Sequence, residues 1–228
     1  VFLWSGYTTT SGSGGGNSTL TATEDAMIYQ ASPATNYGSD ANYQVGDYSA
    51  TGTQELRTAI KFDVSSLAGQ IINSAILKVE VRSSSNPPLV INAHRLTTNW
   101  SEGTVTWNSP WSTAGGNYDA TVVGTSNFTT PITLGSPTET MSIDITSLVQ
   151  NWANGTYPNY GLVLIDPSGI ARSISAFSSE GTVPPKLEVS TGNPVDSLIF
   201  RQITSMCTDL EMPAGGVVQV KGYVSPAN

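Results

Sequence analysis

Two tryptophans flank a carboxylate in the stretch Asn99-Trp100-Ser101-Glu102-Gly103-Thr104-Val105-Thr106-Trp107-Asn108. Indole rings stack well on the apolar faces of sugars, and a carboxylate beside them can hydrogen-bond sugar hydroxyls. With a second carboxylate across a cleft, the same group could cleave a glycosidic bond. Asp63, Asp144 and Glu180 all qualify as that second group on paper, and no spacing singles one out. The only histidine is His94 and no Gly-x-Ser-x-Gly elbow is present, so a serine-hydrolase triad has no basis either. We therefore expect no catalytic residues. The competing reading of the stretch is structural, with Trp107 in the core, Trp100 closing a corner and Glu102 accepting loop N–H groups.

Metal chemistry has thinner support. Glu24, Asp25, Asp40 and Asp47 lie near expected loops and would offer the hard oxygen ligands that calcium prefers. No Asp-x-Asp-x-Asp run accompanies them, so solvated carboxylates are the default and no metal ligands or cofactors are assigned, with structural calcium kept as an option. The glycine run Ser11–Asn17 lacks the Gly-Lys-Ser/Thr ending and strand-to-helix setting of a phosphate loop, and reads as a linker. Asn17, Asn99, Asn127 and Asn154 begin Asn-x-Ser/Thr sequons, with Asn99 expected to be shielded by its tryptophan neighbour.

Composition narrows the partners. The 228 residues carry a formal charge of -8 with only nine Lys plus Arg. Binding nucleic acid requires a basic stripe to neutralise phosphates, so nucleic acid is excluded as a partner, and strongly anionic polysaccharide is disfavoured. Only 11% of residues are charged, and the polar remainder is rich in Ser, Thr, Asn and Gly, which favours turns and strands over helices. No apolar run has the length of a membrane span. Cys207 is the single cysteine, so no intrachain disulfide can form; the thiol reads as a small buried hydrophobe.

The elements that would position these residues are mostly strands. Strand signals cover Ala26–Tyr29, Tyr43–Gly46, Glu55–Val64, Ala75–Arg82 and Leu89–Leu96, and then the Thr104–Trp107 alternation. Further strands are expected near Val122, at Phe128–Thr133 and Met141–Ile145, and at Gly161–Ile165, Ile170–Ala176 and Pro185–Val189. In Glu55–Val64 the alternation sets Leu56, Ile60, Phe62 and Val64 on one face and Arg57, Lys61 and Asp63 on the other. One helix stands out, Ile145–Trp152, with Asp144 as cap and Asn154-Gly155 as terminator. Many short strands with turns between them predict an all-β, jelly-roll-like β-sandwich with one short helix.

From about Thr21 to Ser190 the chain resembles the DNRLRE domain, which is related to carbohydrate-binding modules found beside alginate lyases. The resemblance is carried, in order, by Glu24-Asp25-Ala26, Asn36-Tyr37-Gly38, Val45-Gly46, Arg57, Lys61-Phe62-Asp63-Val64-Ser65-Ser66-Leu67 and Ser74-Ala75-Ile76-Leu77. It continues through Asn99–Asn108, Asp144–Trp152, Tyr160-Gly161-Leu162 and Pro184-Pro185-Lys186-Leu187. It implies a non-catalytic sandwich of secreted and surface proteins, and it makes the structural reading of Trp100, Glu102 and Trp107 the favoured one. It also implies that a sugar site would draw on basic residues of one sheet, here Arg57, Lys61, His94 and Arg95, with Trp100 beside them.

The two ends lie outside the resemblance. The expected organisation is an apolar strand over 1–10, a Gly/Ser linker over 11–19, the sandwich over 20–191 and a C-terminal hairpin over 192–228. The edges of the end segments would need cover, which β-pairing with a neighbouring chain provides. Phe2, Leu3, Trp4, Leu198, Phe200, Val218 and Val220 are the expected intersubunit contacts. The expected function is that of a structural subunit of an extracellular, cell-surface or virion assembly, homo-oligomeric and displaying a sandwich for polysaccharide. A secreted monomeric carbohydrate-binding module is the alternative.

Overall fold

The computed structural model describes residues 15–135 and 138–192. The expected end strand, the C-terminal hairpin with its intersubunit contacts, and Cys207 lie outside the described residues.

Ten strands follow one another: β1 (Asn17–Tyr29), β2 (Asn42–Asp47), β3 (Glu55–Phe62), β4 (Ile71–Ser85), β5 (Leu89–Leu96), β6 (Tyr118–Phe128), β7 (Glu139–Asp144), β8 (Leu162–Ile165), β9 (Arg172–Phe177) and β10 (Lys186–Gly192). A 3-10 turn at Ser65–Leu67 and helix α1 (Thr146–Ala153) complete them. Every strand pairing is antiparallel. The hydrogen-bonded order is β1-β10-β4-β9-β2-β3-β8-β5-β6, with β7 on the free side of β4. An added β1–β3 pairing closes the sheet on itself. This is the expected all-β sandwich with one short helix, its edges joined into a barrel-like wrap.

β1 makes the closure possible. Its first half, Asn17–Thr21, pairs with β10, and its second half, Glu24–Tyr29, pairs with β3. The register shifts between Ala22 and Glu24, and such a bulge bends a strand enough to move it from one layer to the other.

The alternation in β3 takes shape as expected on one face: Leu56, Ile60 and Phe62 enter the main core with Leu77, Val79, Val81, Ile91 and Leu164. Helix α1 adds Leu148, Val149 and Trp152 to that core. Ile145 occupies the helix N-cap position without a side-chain bond. Asp144, one residue earlier, accepts the Thr146 N–H at 2.9 Å and its hydroxyl at 2.6 Å.

The opposite face of β3 is not open to solvent. A second apolar cluster sits there, with Ala26, Ile28, Ala59 and Val163 on the sheet and Trp100, Val105, Trp107 and Trp111 above it. The roof is the segment 97–117. The strand expected over Thr104–Trp107 does not form. Its backbone closes on itself instead: Thr104 and Val105 N–H both bond Ser101 O, and Thr106 N–H bonds Ser109 O. Alternating apolar and polar residues there reflect a turn that tucks Val105 and Trp107 under, not a pleat. Trp107 accordingly fills this second cluster and not the core between the layers. The run Phe128–Thr133 also departs from expectation, because β6 ends at Phe128.

Candidate functional site

Two Asn-Tyr-Gly triplets explain how the roof is held. Asn36 donates its side-chain amide to Glu102 O and Val105 O, both at 2.7 Å, while its Oδ1 accepts the Gly38 N–H at 3.3 Å. A Cβ on Gly38 would lie 2.2 Å from Glu102 O, so only glycine lets the two segments touch. Asn159 repeats the device, donating to Phe62 O at 2.8 Å and accepting Gly161 N–H at 3.0 Å. Gly161 has φ +79° and sits against Ile60 O, where a Cβ would be 2.3 Å away. Trp100 is tied to the second triplet, its indole N–H donating to Tyr160 O at 2.8 Å.

The expected basic residues separate into distinct places. Register sets Ala59, Val163 and His94 in one row and Ile60, Leu162 and Arg95 in the next. Successive residues point to opposite faces, so His94 and Arg95 cannot share one patch. Arg57 and Lys61 are on the roofed face and serve the roof. Arg57 grips Glu55 through Nε–Oε1 at 2.6 Å and Nη2–Oε2 at 2.8 Å, and donates to Gly115 O at 2.7 Å. Its guanidinium lies 5.0 Å from the Trp107 ring centroid and 5.3 Å from that of Tyr118. Lys61 pairs with Glu24, donates to Trp100 O at 2.8 Å and stands 4.7 Å from the Trp100 ring. His94 is buried, with Nδ1 3.0 Å from Asp119 O and its ring tilted against Tyr118.

Trp100 itself is only 4% exposed and Trp107 only 6%, so neither offers a ring face to a sugar. Asn99 is exposed, contrary to the expected shielding, because Trp100 turns away from it and inward.

Arg95 is different. Its Nη2 donates to Asp119 Oδ2 at 3.0 Å, and its guanidinium stacks 4.1 Å from the ring of Tyr157, which is 37% exposed. The Thr121 backbone and hydroxyl, then Arg95, hold the Asp119 carboxyl below its usual range. A cation, a carboxylate and an aromatic ring therefore meet solvent together. Sequence reasoning missed Tyr157 and Asp119. The signal for Tyr157 was an aromatic between Gly155-Thr156 and Pro158, just past the helix terminator, where a chain runs over the surface.

The acidic residues also regroup. Of the four expected in loops, Asp25 alone joins a cluster, with Glu102 and Glu180, whose carboxylate oxygens lie within 4.8 Å of one another. Glu24 is the Lys61 partner and accepts the Glu102 N–H at 3.2 Å. Asp40 is exposed, and Asp47 accepts the Ser49 N–H at 2.6 Å. Burial first, and then the Glu180 and Glu102 charges, push Asp25 up to about 7 against the opposing Ser179 hydrogen bonds. Partial burial also raises Glu102, opposed by the Asp25 N–H, which it accepts at 2.8 Å. Glu102 thus accepts an N–H from strand β1 and not the loop N–H groups expected of it. The Glu102–Glu180 pairing that the sequence allowed does occur, but its third member Asp25 is 1% exposed. The carboxyls are also closer than the roughly 5 Å or more that flanks a scissile glycosidic bond.

The fold is a β-sandwich in which Trp100, Trp107 and Glu102 are committed to internal contacts. The model of Carbohydrate-binding module family 96 matches residues 16–191, well over half of the chain, and the protein belongs to that family. Modules of this family are non-catalytic and bind glycans. The match carries the carbohydrate-binding part of the resemblance, not the DNRLRE name. A search among curated proteins returns no match. Among the described residues no helix is long and apolar enough to cross a membrane.

Proposed function

We propose that the module binds a neutral polysaccharide at the Arg95–Asp119–Tyr157 surface, without cleaving it. The observation that carries this reading is the exposed Tyr157 ring stacked on Arg95 beside a carboxylate. An aromatic face supplies stacking area, and the charged pair supplies donors and acceptors for hydroxyls. The preference for a neutral chain follows from charge compensation. Arg57 is paired with Glu55, Lys61 with Glu24 and Arg95 with Asp119, so these three expected cationic contacts are already neutralised. A polyuronate would have to displace those carboxylates on a chain of net charge -8. Titration calorimetry of the protein and its Tyr157→Ala variant against neutral glucans, mannans, xylans and alginate tests this. We expect binding to a neutral polymer and at least about tenfold weakening, about 1.4 kcal/mol, in the variant. Tight alginate binding, or unchanged affinity in Tyr157→Ala, defeats the reading.

We further propose that the module is displayed by a homo-oligomeric extracellular or virion surface assembly, in which the segments 1–10 and 192–228 make the subunit contacts. What supports this is the sequence of those segments, apolar and β-prone around Phe2–Trp4, Leu198–Phe200 and Val218–Val220. Native mass measurement decides it: an oligomer or polymer supports the assembly, and a monomer at high concentration removes it.

A further inference from the structure

The Asp25–Glu102–Glu180 cluster joins three parts of the chain that share no secondary structure: β1, the roof segment and the turn between β9 and β10. Three carboxylates this close repel one another, and among the described residues no salt bridge reaches them. Among the described residues the salt bridges of Lys61, Arg57, Lys78, Arg95 and Arg172 all go to other acids. Asp25 is almost wholly buried, and only one of its oxygens is satisfied. Its Oδ2 accepts the Ser179 N–H at 2.8 Å, while Oδ1 has no hydrogen-bond partner. Tyr43, also 1% exposed, leaves its hydroxyl unpartnered and feels the Asp25 charge, which adds to the effect of burial in raising its pKa. A buried carboxylate oxygen without a donor is costly, and buried charges are ordinarily paired or bound to metal.

A divalent cation answers each of these features. It supplies the missing positive charge and takes the free lone pair of Asp25. Two oxygens on one calcium ion, each at 2.3 to 2.6 Å, are at most about 5 Å apart, which suits ligand atoms lying within 4.8 Å of one another. The donors are all hard oxygens, with no histidine or thiolate, which suits calcium and not zinc. Glu180 is exposed and gives the ion a route in and room for water ligands.

We propose that Asp25, Glu102 and Glu180 form a Ca²⁺ site that clamps β1, the 97–117 roof and the β9–β10 turn together. The site shares no residue with the Arg95–Asp119–Tyr157 surface, and it stands whether or not the glycan reading holds. The test uses the full chain stripped with EDTA. Bound metal after equilibrium dialysis is counted by atomic emission, and thermal unfolding is followed with added Ca²⁺ or Mg²⁺. The expected result is one Ca²⁺ per chain and a melting temperature raised by about 5 to 10 °C at a hundredfold excess over the dissociation constant. Mg²⁺, which demands shorter and more regular coordination, should give a clearly smaller shift. Glu180→Gln, on the surface, should raise the metal-free melting temperature slightly by relieving the repulsion and weaken Ca²⁺ at least about tenfold, and Asp25→Asn should remove the Ca²⁺ response. If Asp25→Asn does not fold, Glu180→Gln decides. No retained Ca²⁺ with no thermal shift, an equal response to Mg²⁺, or full Ca²⁺ affinity in Glu180→Gln overturns the assignment.

Discussion

Replacing Trp100 by alanine separates a wall from a platform. The indole is packed with Trp107, Val105 and Val163 under the roof, donates to Tyr160 O, and carries the Lys61 ammonium over its ring. Removing a buried tryptophan side chain costs about 3 to 5 kcal/mol in transfer and cavity terms. The stranded Tyr160 carbonyl and the lost cation–π contact would add about 1 kcal/mol each. These contributions overlap, because water entering the gap can solvate both, so about 4 to 5 kcal/mol is the working figure. For a domain of this size, about 2 to 4 °C per kcal/mol makes that a fall of roughly 8 to 20 °C in melting temperature. Urea titration measures the free energy directly, and calorimetry at 15 °C compares glycan affinity in the folded variant. The expected outcome is a large loss of stability with affinity unchanged. A loss below about 1 kcal/mol together with abolished binding would refute the argument, because it would make Trp100 a surface for sugar and not part of the packing.

Two further predictions concern other elements. Arg172 and Asp166 form a buried bidentate pair at 2.7 and 3.0 Å, and Arg172 also donates to Pro88 O. Arg172→Met should cost about 3 to 5 kcal/mol by urea titration, with much of it recovered in Arg172→Met/Asp166→Leu; a single variant as stable as the parent would count against the pair. At the helix start, Asp144→Ala should cost about 1 kcal/mol near neutral pH. The Thr146 hydroxyl and N–H lower the Asp144 pKa, so its contribution is present above the unfolded value near about 3.9 and is lost as pH falls through the folded one. The stability gap between parent and variant should therefore hold from pH 5 to 8 and narrow below about 4, and a gap that widens in acid would contradict the assignment.

The strands were legible where alternation met a core on one side. Leu89–Leu96 is a strand over the expected residues, and in β3 the parity of Leu56, Ile60 and Phe62 against Arg57 and Lys61 is the parity observed. What alternation could not say is what covers the polar face. Charged residues opposite a core face ordinarily meet water, yet here a 21-residue segment returns over them, and Arg57 and Lys61 bind its backbone. The Thr104–Trp107 run misled for a related reason: a period of two in four residues fits a turn with two buried side chains as well as a pleat. The sugar surface was less legible still. Arg95 was named for its charge, while Tyr157 and Asp119 come from a loop and another strand and meet it only through the β5–β6 pairing and the chain leaving α1.

The sequence by itself determined the fold class, the helix and its stop and the parity of the central strands, because these depend on local periodicity and turn residues. It also contained both Asn-Tyr-Gly triplets, although not their common task. Only the tertiary structure decided that Trp100 and Trp107 face inward, that the basic residues are split, with Arg57, Lys61 and Arg95 each paired to a carboxylate, and that Asp25, Glu102 and Glu180 meet. Those outcomes depend on pairs 77, 78 and 154 residues apart being brought into contact by closure of the sheet and by its roof. No local pattern records a contact at that separation. It exists only once β1 has crossed between the layers and carried Asp25 to where the other two segments converge.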